Sequence, residues 1–206
     1  MPKKSTNKNN TKNTCSAWTL IDFAKVYSKT PPNSQVTITQ YIDALKKIVI
    51  EDLPAWSAKL RSKTAIRTTA KRHFVDPSIA TAALRVTPKK LLSDFETFGL
   101  LFESLCIRDL RVYAESIDGH VYHYHDKNGL EIDGIIQLAD GRWSAVEIKM
   151  GAGEIEAAAE ALLKLEKVVD TEKMNKPAFL MVLTSTEYAF QMDNGVWVVP
   201  LGYLKK

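Results

Sequence analysis

Two apolar segments joined by a turn constrain the fold of this chain most, because charged residues are embedded in both. The first, LEIDGIIQL, carries Asp133 near its middle, and the second, GRWSAVEIKMG, carries Glu147 and Lys149 near its end. Both are rich in β-branched and apolar residues, and Ala139-Asp140-Gly141 is a turn signal between them, so they predict a β-hairpin. Side chains alternate along a strand, which puts Glu147 and Lys149 on one side and Ile148 on the other.

These charges make the predicted hairpin a candidate site. Charged groups within apolar surroundings are costly unless they are paired or bound to a metal. Two carboxylates and one ammonium brought together by a hairpin can bind a divalent metal and activate a water for attack on phosphate. A simpler alternative stays open, since an E-x-K triplet is common and a fold does not by itself establish a catalytic function.

Length and composition divide the chain into an ordinary domain and a small one. We predict a disordered polar tail at residues 1–16, a small α/β module at 17–86 and the main domain at 87–206. The tail is rich in Lys, Asn and Thr and cannot bury enough apolar surface to order itself. No run of 18 or more apolar residues and no secretory signal is found, so we expect no membrane association. Cys15 and Cys106 lack metal-ligand spacing, which favours reduced thiols in the cytoplasm.

The strongest charge pattern is basic. Residues 59–90 contain nine Lys and Arg but a single acidic residue, Asp76. Helices followed by two short strands, at 65–68 and 72–75, have the order of a truncated winged-helix domain with a basic wing. Such a wing contacts phosphates without reading base sequence, although the module could instead only pack against a partner domain. The predicted nucleic-acid-binding residues are Lys59, Arg61, Lys63, Arg67, Lys71 and Arg72.

The remaining elements alternate between helix and strand. Asp76-Pro77-Ser78 starts a helix, and a longer helix is predicted over 91–116, with Glu103 beside its apolar stripe. That stripe consists of Phe95, Phe98, Phe102, Leu105 and Val112. The strand HVYHYHD follows, and His123 and His125 are predicted on an exposed face of it. The hairpin comes next, followed by a helix, the buried strand PAFLMVLTS and the peripheral strand VWVVP. This order predicts an α/β sandwich with a mixed central sheet.

Two resemblances sharpen this interpretation. A helix with Glu103, a strand with Asp133 and a strand with Glu147-x-Lys149 resemble the PD-(D/E)xK nuclease superfamily, which includes restriction endonucleases and Holliday-junction resolvases. From about Tyr41 to its end, the chain is similar to a C-terminal domain of unknown function in prokaryotic AAA-type ATPases, itself regarded as PD-(D/E)xK-like. The phrases that carry this similarity are PAWSAKLRSKTAIRTTAKRHFVDPSIA, TFGLLFESLCIRDLRVYAE, GLEIDGIIQLADGRWSAVEIKMG and KPAFLMVLTS.

The resemblance implies a restriction-endonuclease-like mixed sheet flanked by helices and assigns catalytic roles. Asp133, Glu147 and the backbone carbonyl of Ile148 would hold Mg²⁺ or Mn²⁺. Lys149 would orient the attacking water or steady the transition state, and Glu103 would hold a metal-bound water or a second ion. Glu131, two residues before Asp133, would assist from the same side.

The chain departs from those ATPases because it has no G-x-x-x-x-G-K-[ST] loop, so it is not expected to hydrolyse ATP by itself. Three functions follow as alternatives. The first is a Mg²⁺-dependent nuclease-like domain that acts on or binds DNA. The second is a catalytically inert module that contacts other proteins or regulates an AAA-type ATPase domain or protein. The third is a plain DNA-binding regulator.

Overall fold

The computed structural model describes residues 43, 45–46, 49–56, 69–170 and 174–204. They belong to the compact unit Leu45–Lys206, apart from Asp43, which is the one described residue of the unit Met1–Ala44. The predicted tail at 1–16 and the predicted strand at 65–68 therefore lie outside the described residues. So do four of the predicted nucleic-acid-binding residues, which are Lys59, Arg61, Lys63 and Arg67.

A two-stranded antiparallel sheet opens the described fold. Strand β1 (Ile50–Leu53) pairs with β2 (Lys71–Phe74), and Leu53 stands opposite Lys71 in the register. The sequence placed a strand at 72–75, in agreement with β2. Because the strand predicted at 65–68 is not described, the winged-helix assignment stays a prediction.

Two short helices follow the β1–β2 sheet. Helix α1 (Pro77–Leu84) begins where the sequence predicted, since the Asp76 carboxylate caps it by accepting from the Ser78 amide at 2.8 Å. Helix α2 (Pro88–Leu91) has proline at its first position, which fits a helix start because proline has no N–H to satisfy there.

The long helix α3 (Phe95–Glu115) starts later than predicted. Asp94 caps it by accepting from the Thr97 amide at 3.1 Å, so the helix expected over 91–116 begins at Phe95, and Leu91 instead ends the separate helix α2. The predicted apolar stripe was wrong in part: Phe95 is 65% exposed and Val112 is 50% exposed. Val112 lies ten residues from buried Phe102, which rotates it about 80° around the helix. The buried residues of α3 include Leu101, Phe102, Cys106, Ile107, Leu110 and Ala114.

Six described strands form the main sheet, in the spatial order β3-β4-β5-β6-β8-β7. The first three are antiparallel, β5, β6 and β8 run parallel, and β7 pairs antiparallel with β8. The predicted mixed sheet flanked by helices is thus confirmed, while β7 was not foreseen. The strands are β3 (Gly119–His125), β4 (Glu131–Leu138), β5 (Trp143–Lys149), β6 (Leu180–Thr184), β7 (Phe190–Gln191) and β8 (Trp197–Pro200).

Apolar cores lie on both faces of the main sheet. On β5, Ala145 packs in the core that contains helix α4 (Ile155–Val168), whereas its neighbour Val146 packs in the core that contains α3. This alternation follows from the two-residue period of a strand and explains why β5 is buried along almost its whole length. No described helix has the length and apolar character needed to cross a membrane.

The predicted exposure of His123 was wrong. Alternation along β3 holds, since Tyr122 and Tyr124 both pack with the core that contains α4, whereas Val121 packs with the core that contains α3. His123 lies on the Val121 side, which is covered here by the chain just before β2, with the Thr69 carbonyl oxygen 3.0 Å from His123 Nε2. Both sides of β3 are therefore covered at this point, and His123, at 4% exposure, and Tyr124, at 0%, are both buried.

Candidate functional site

The β4–β5 hairpin brings three predicted site residues together. Its ladder pairs Gly134 with Val146, which leaves Asp133 and Glu147 just beyond the last pair. The Lys149 ammonium lies 3.1 Å from Glu147 Oε2 and 3.9 Å from Asp133 Oδ2. Glu147 and Lys149 thus share one side of β5, as alternation predicted.

The backbone of β5 also holds Asp133 directly. The amide of Ile148 donates a hydrogen bond of 3.0 Å to Asp133 Oδ2. Ile148, predicted to offer its carbonyl oxygen to a metal, therefore contributes its N–H to this carboxylate. The bond fixes the orientation of Asp133 relative to the end of β5.

A second lysine enters the site from the β1–β2 sheet. The ammonium of Lys71 lies 2.7 Å from Glu103 Oε1, 3.0 Å from Asp133 Oδ1 and 3.3 Å from Glu131 Oε1. Its side chain is only 10% exposed. The structure therefore unites all four predicted catalytic residues around Asp133 and adds Lys71, which the sequence had assigned to phosphate contacts. We call Lys71, Glu103, Glu131, Asp133, Glu147 and Lys149 the carboxylate–lysine cluster.

Electrostatics divides the carboxylates of this cluster into two kinds. Burial alone would raise the pKa of Asp133, but the ammonium groups of Lys71 and Lys149 and the Ile148 amide outweigh burial and bring that pKa down to about 2. Burial and the nearby Asp133 carboxylate instead raise the pKa of Glu147 well above its ordinary value. The same two causes raise the pKa of Glu103. Asp133 is thus the ionised centre of the cluster.

Lys71 stays charged in spite of its burial. Burial lowers the pKa of a lysine, but the carboxylates of Asp133, Glu103 and Glu131 reverse that effect and raise the pKa of Lys71 well above its ordinary value. Lys71 is therefore unsuited to act as a base or a nucleophile, since both roles need a neutral amine. Its chemistry at this site is that of a fixed cation.

Two buried histidines lie close to Lys71. His123 Nε2 stands 3.0 Å from the Thr69 carbonyl oxygen, a contact in which the nitrogen donates, while its buried Nδ1 has no described partner. His73 Nε2 is likewise buried without a described partner. Burial, followed by repulsion from the Lys71 ammonium, lowers the pKa of His73 to about 3. Both rings are neutral at physiological pH, so neither adds positive charge to the site.

The donor chemistry of the cluster suits a divalent metal, but its arrangement does not. Carboxylate oxygens are ligands that Mg²⁺ and Mn²⁺ prefer. However, three of the carboxylates already surround the Lys71 ammonium, and a divalent ion among the same oxygens would be strongly repelled by it. Among the described residues, no group of three or more His, Cys, Asp and Glu is arranged to hold a metal ion.

The two described members of the predicted nucleic-acid-binding set are both engaged within the protein. Lys71 is in the cluster, and Arg72 Nε lies 3.5 Å from Asp52 Oδ1. Lys46 also contacts Asp52, at 2.6 Å. Arg72 is partly exposed, so the pair with Asp52 is a weak surface contact that a phosphate could replace.

An apolar cavity of about 360 Å³ lies beside α3, apart from this cluster. Leu110, Ile117, Ile136, Phe179 and Leu204 contribute to its lining, together with the basic residue Arg142. None of the predicted site residues lines it, so it adds nothing to the chemistry of the carboxylates.

Comparison with protein families gives two matches. Residues 98–204, more than half of the 206-residue chain, match the model described as Domain of unknown function (DUF4143). The chain belongs to the DUF4143 family. A second model, Domain of unknown function (DUF8612), matches residues 11–90. No curated protein and no solved structure matches the chain.

The DUF4143 match confirms the predicted similarity at the level of a domain of unknown function. It contains all the carboxylates of the cluster and Lys149, whereas Lys71 comes from the segment that matches DUF8612. The cluster is consequently composite, because its central cation and its carboxylates belong to differently matched stretches of one chain. Sequence reasoning missed this role of Lys71, since a lysine in a basic stretch gives no sign that its side chain turns inward.

Proposed function

We propose that this DUF4143 protein is a non-catalytic module with a PD-(D/E)xK nuclease-like fold, which acts by binding and regulating an AAA-type ATPase. The observation that carries this proposal is the Lys71 ammonium, 2.7–3.3 Å from three carboxylates that would otherwise be available to a metal. The resemblance to domains of AAA-type ATPases supports the class of partner.

The energetics of Lys71 support an inert site. Breaking a buried ion pair by removing one partner costs about 3–5 kcal/mol, because the other charge stays buried without compensation. A metal would have to displace a cation held by Glu103, Glu131 and Asp133 together before those carboxylates could serve it. A single ammonium lacks the open coordination positions with which a divalent ion activates water.

Two assays test the proposal on the full chain. The first measures nicking of supercoiled plasmid in Mg²⁺ and in Mn²⁺, with Asp133→Asn as the matched control; we expect no nicking by either protein. The second measures binding to AAA-type ATPases encoded by the same organism, and their rates of ATP hydrolysis with and without the chain. We expect a stoichiometric complex with an altered rate. Nicking that Asp133→Asn abolishes, or an ATPase that binds without any change of rate, would overturn the proposal.

A metal-dependent nuclease is the second candidate, favoured by the convergence of Asp133, Glu147 and Lys149 at the end of the β4–β5 hairpin. Under it, Asp133 and Glu147 would hold Mg²⁺ or Mn²⁺, and the metal would supply Lewis-acid chemistry on a phosphodiester of DNA. This candidate requires Lys71 to leave the cluster. Metal-dependent nicking in the plasmid assay would favour it over the non-catalytic module.

A further inference from the structure

We propose that Lys71 is an intramolecular cation that excludes divalent metal from the carboxylate–lysine cluster, and that its removal raises the affinity of Glu103, Glu131 and Asp133 for a divalent cation. The inference rests on the same contacts as the proposed function but concerns the cation affinity of this one site. It gives the β1–β2 sheet control over whether the site can accept a metal.

The contacts of Lys71 match the donor capacity of a lysine. An ammonium has three N–H donors, and three carboxylate oxygens lie 2.7, 3.0 and 3.3 Å from Nζ. Glu103 comes from α3, while Glu131 and Asp133 come from β4. Carboxylate oxygens from two elements thus surround one point, and the Lys71 ammonium occupies that point. The cation that these carboxylates bind is therefore part of the chain itself.

The charge balance shows what the removal of Lys71 would leave. Three carboxylates would remain, and Lys149, at 3.9 Å from Asp133, is the nearest described ammonium to them. Glu103 Oε1 is buried, and its described partner is the Lys71 ammonium at 2.7 Å. Without Lys71 that oxygen would lose this partner, and an unpaired buried carboxylate oxygen in a cluster of negative charge attracts a hard divalent ion.

The position of Lys71 is fixed by packing. It is the first residue of β2 and stands opposite Leu53, which is 1% exposed within the core on the α3 side of the sheet. Just after β1, the Trp56 amide donates to the His123 carbonyl at 2.8 Å, and the His123 amide donates to the Pro54 carbonyl at 3.0 Å. The segment matched to DUF8612 therefore delivers its lysine to the DUF4143 carboxylates from an anchored strand.

Binding of Mn²⁺ to the full chain tests this inference. The key variant is Lys71→Met, which keeps an unbranched side chain of similar length but removes the charge. Arg72→Met is the matched control, because Arg72 neighbours Lys71 on β2 and contacts Asp52 instead of the cluster. The double variant Lys71→Met with Asp133→Asn removes both the excluding cation and the central carboxylate. Calorimetry gives the affinity, and thermal melting with Mn²⁺ or EDTA gives the linked stabilisation.

We expect Lys71→Met to bind one Mn²⁺ roughly tenfold or more tightly than the wild type, with a melting temperature that rises with Mn²⁺. Arg72→Met should behave as the wild type, and the double variant should lose the gain. Equal Mn²⁺ affinity in folded Lys71→Met and in the wild type would overturn the inference. If Lys71→Met is unfolded in EDTA, Mn²⁺ should restore its circular dichroism, and failure to do so would count equally against the proposal. Plasmid nicking by the wild type would contradict the proposed function, but the inference about Lys71 would still be decided by the Mn²⁺ affinities of Lys71→Met and the wild type.

Discussion

At the scale of single residues, Asp133 is the charge on which the site depends. It accepts hydrogen bonds from Lys71 and from the Ile148 amide, and it lies within 3.9 Å of Lys149. Its neighbours Glu103 and Glu147 have raised pKa values, partly because Asp133 stays ionised beside them. One carboxylate thus holds both lysines in place and makes ionisation of the other two less favourable.

Replacing Asp133 by Asn should lower the free energy of unfolding at pH 7 by about 3 kcal/mol, because the buried Lys71 ammonium and the partly buried Lys149 ammonium lose their shared partner. The folded-state pKa is about 2, below the ordinary value of about 3.9. The stabilisation by Asp133 is therefore complete above about pH 5 and is lost progressively as pH falls towards 2. Urea unfolding at pH 7 and at pH 3 checks this, with the exposed Asp193→Asn as control. A difference between wild type and variant that grows at pH 3 would contradict it.

His73 should make the protein sensitive to mild acid. Its pKa in the fold, about 3, lies below the ordinary value of about 6.5, so the unfolded state binds a proton more readily as pH falls below 6.5. From pH 6.5 to pH 5, this linkage should remove about 1.5 kcal/mol of stability. His73→Gln should flatten the pH dependence of chemical unfolding in that range, whereas the exposed His120→Gln should leave it unchanged. An equal slope in His73→Gln and wild type would argue against the burial of a neutral ring.

At the scale of elements, the segment after β1 fastens the β1–β2 sheet to the main domain. Trp56 is 1% exposed, its ring centroid lies 5.0 Å from that of Trp143 on β5, and its indole N–H donates to Gln137 on β4 at 2.9 Å. The position of Lys71 in the cluster therefore depends on an aromatic contact between distant parts of the chain.

Trp56→Ala should lower the free energy of unfolding by about 3–5 kcal/mol, because a large buried side chain leaves a cavity that its surroundings only partly fill. Trp197→Ala is the matched control, since Trp197 on β8 is 43% exposed and loses much less buried area. Denaturant unfolding followed by circular dichroism measures both. Equal losses in the two variants would show that Trp56 does not fasten the sheet as described.

At the scale of the whole molecule, the described part of Leu45–Lys206 should unfold as one cooperative unit. Leu53 of β1 packs in the same core as α3 and β5, and Lys71 of β2 is held by carboxylates of α3 and β4. Amide hydrogen exchange should therefore give β1 and β2 opening free energies within about 1 kcal/mol of those of β5 and β6. Exchange in β1 and β2 that is faster by several orders of magnitude would show that the sheet opens alone and that Lys71 leaves the site.

Patterns local in sequence were sufficient to predict much of this molecule. The β4–β5 hairpin follows from its turn signal, and the shared side of Glu147 and Lys149 follows from the two-residue period of a strand. The start of α1 at Asp76-Pro77 follows from capping chemistry. Each of these features depends on interactions between residues a few positions apart, so the amino-acid sequence is enough to predict it.

The exposure of Val112 and the burial of His123 could not be predicted in the same way. Val112 is apolar, but its angular position on α3 turns it away from the sheet. His123 is polar, but the segment before β2 covers its side of β3 and buries it. Both outcomes depend on how one element lies against another.

The sequence by itself determined that Asp133, Glu147 and Lys149 would meet, because a single hairpin brings them together. Only the tertiary structure decided which cation stands among the carboxylates. Lys71 and Asp133 are 62 residues apart and belong to different sheets. Their pairing depends on long-range packing, through Leu53 and Trp56, that no short pattern encodes. A lysine expected to meet phosphate thus neutralises the carboxylates of its own chain.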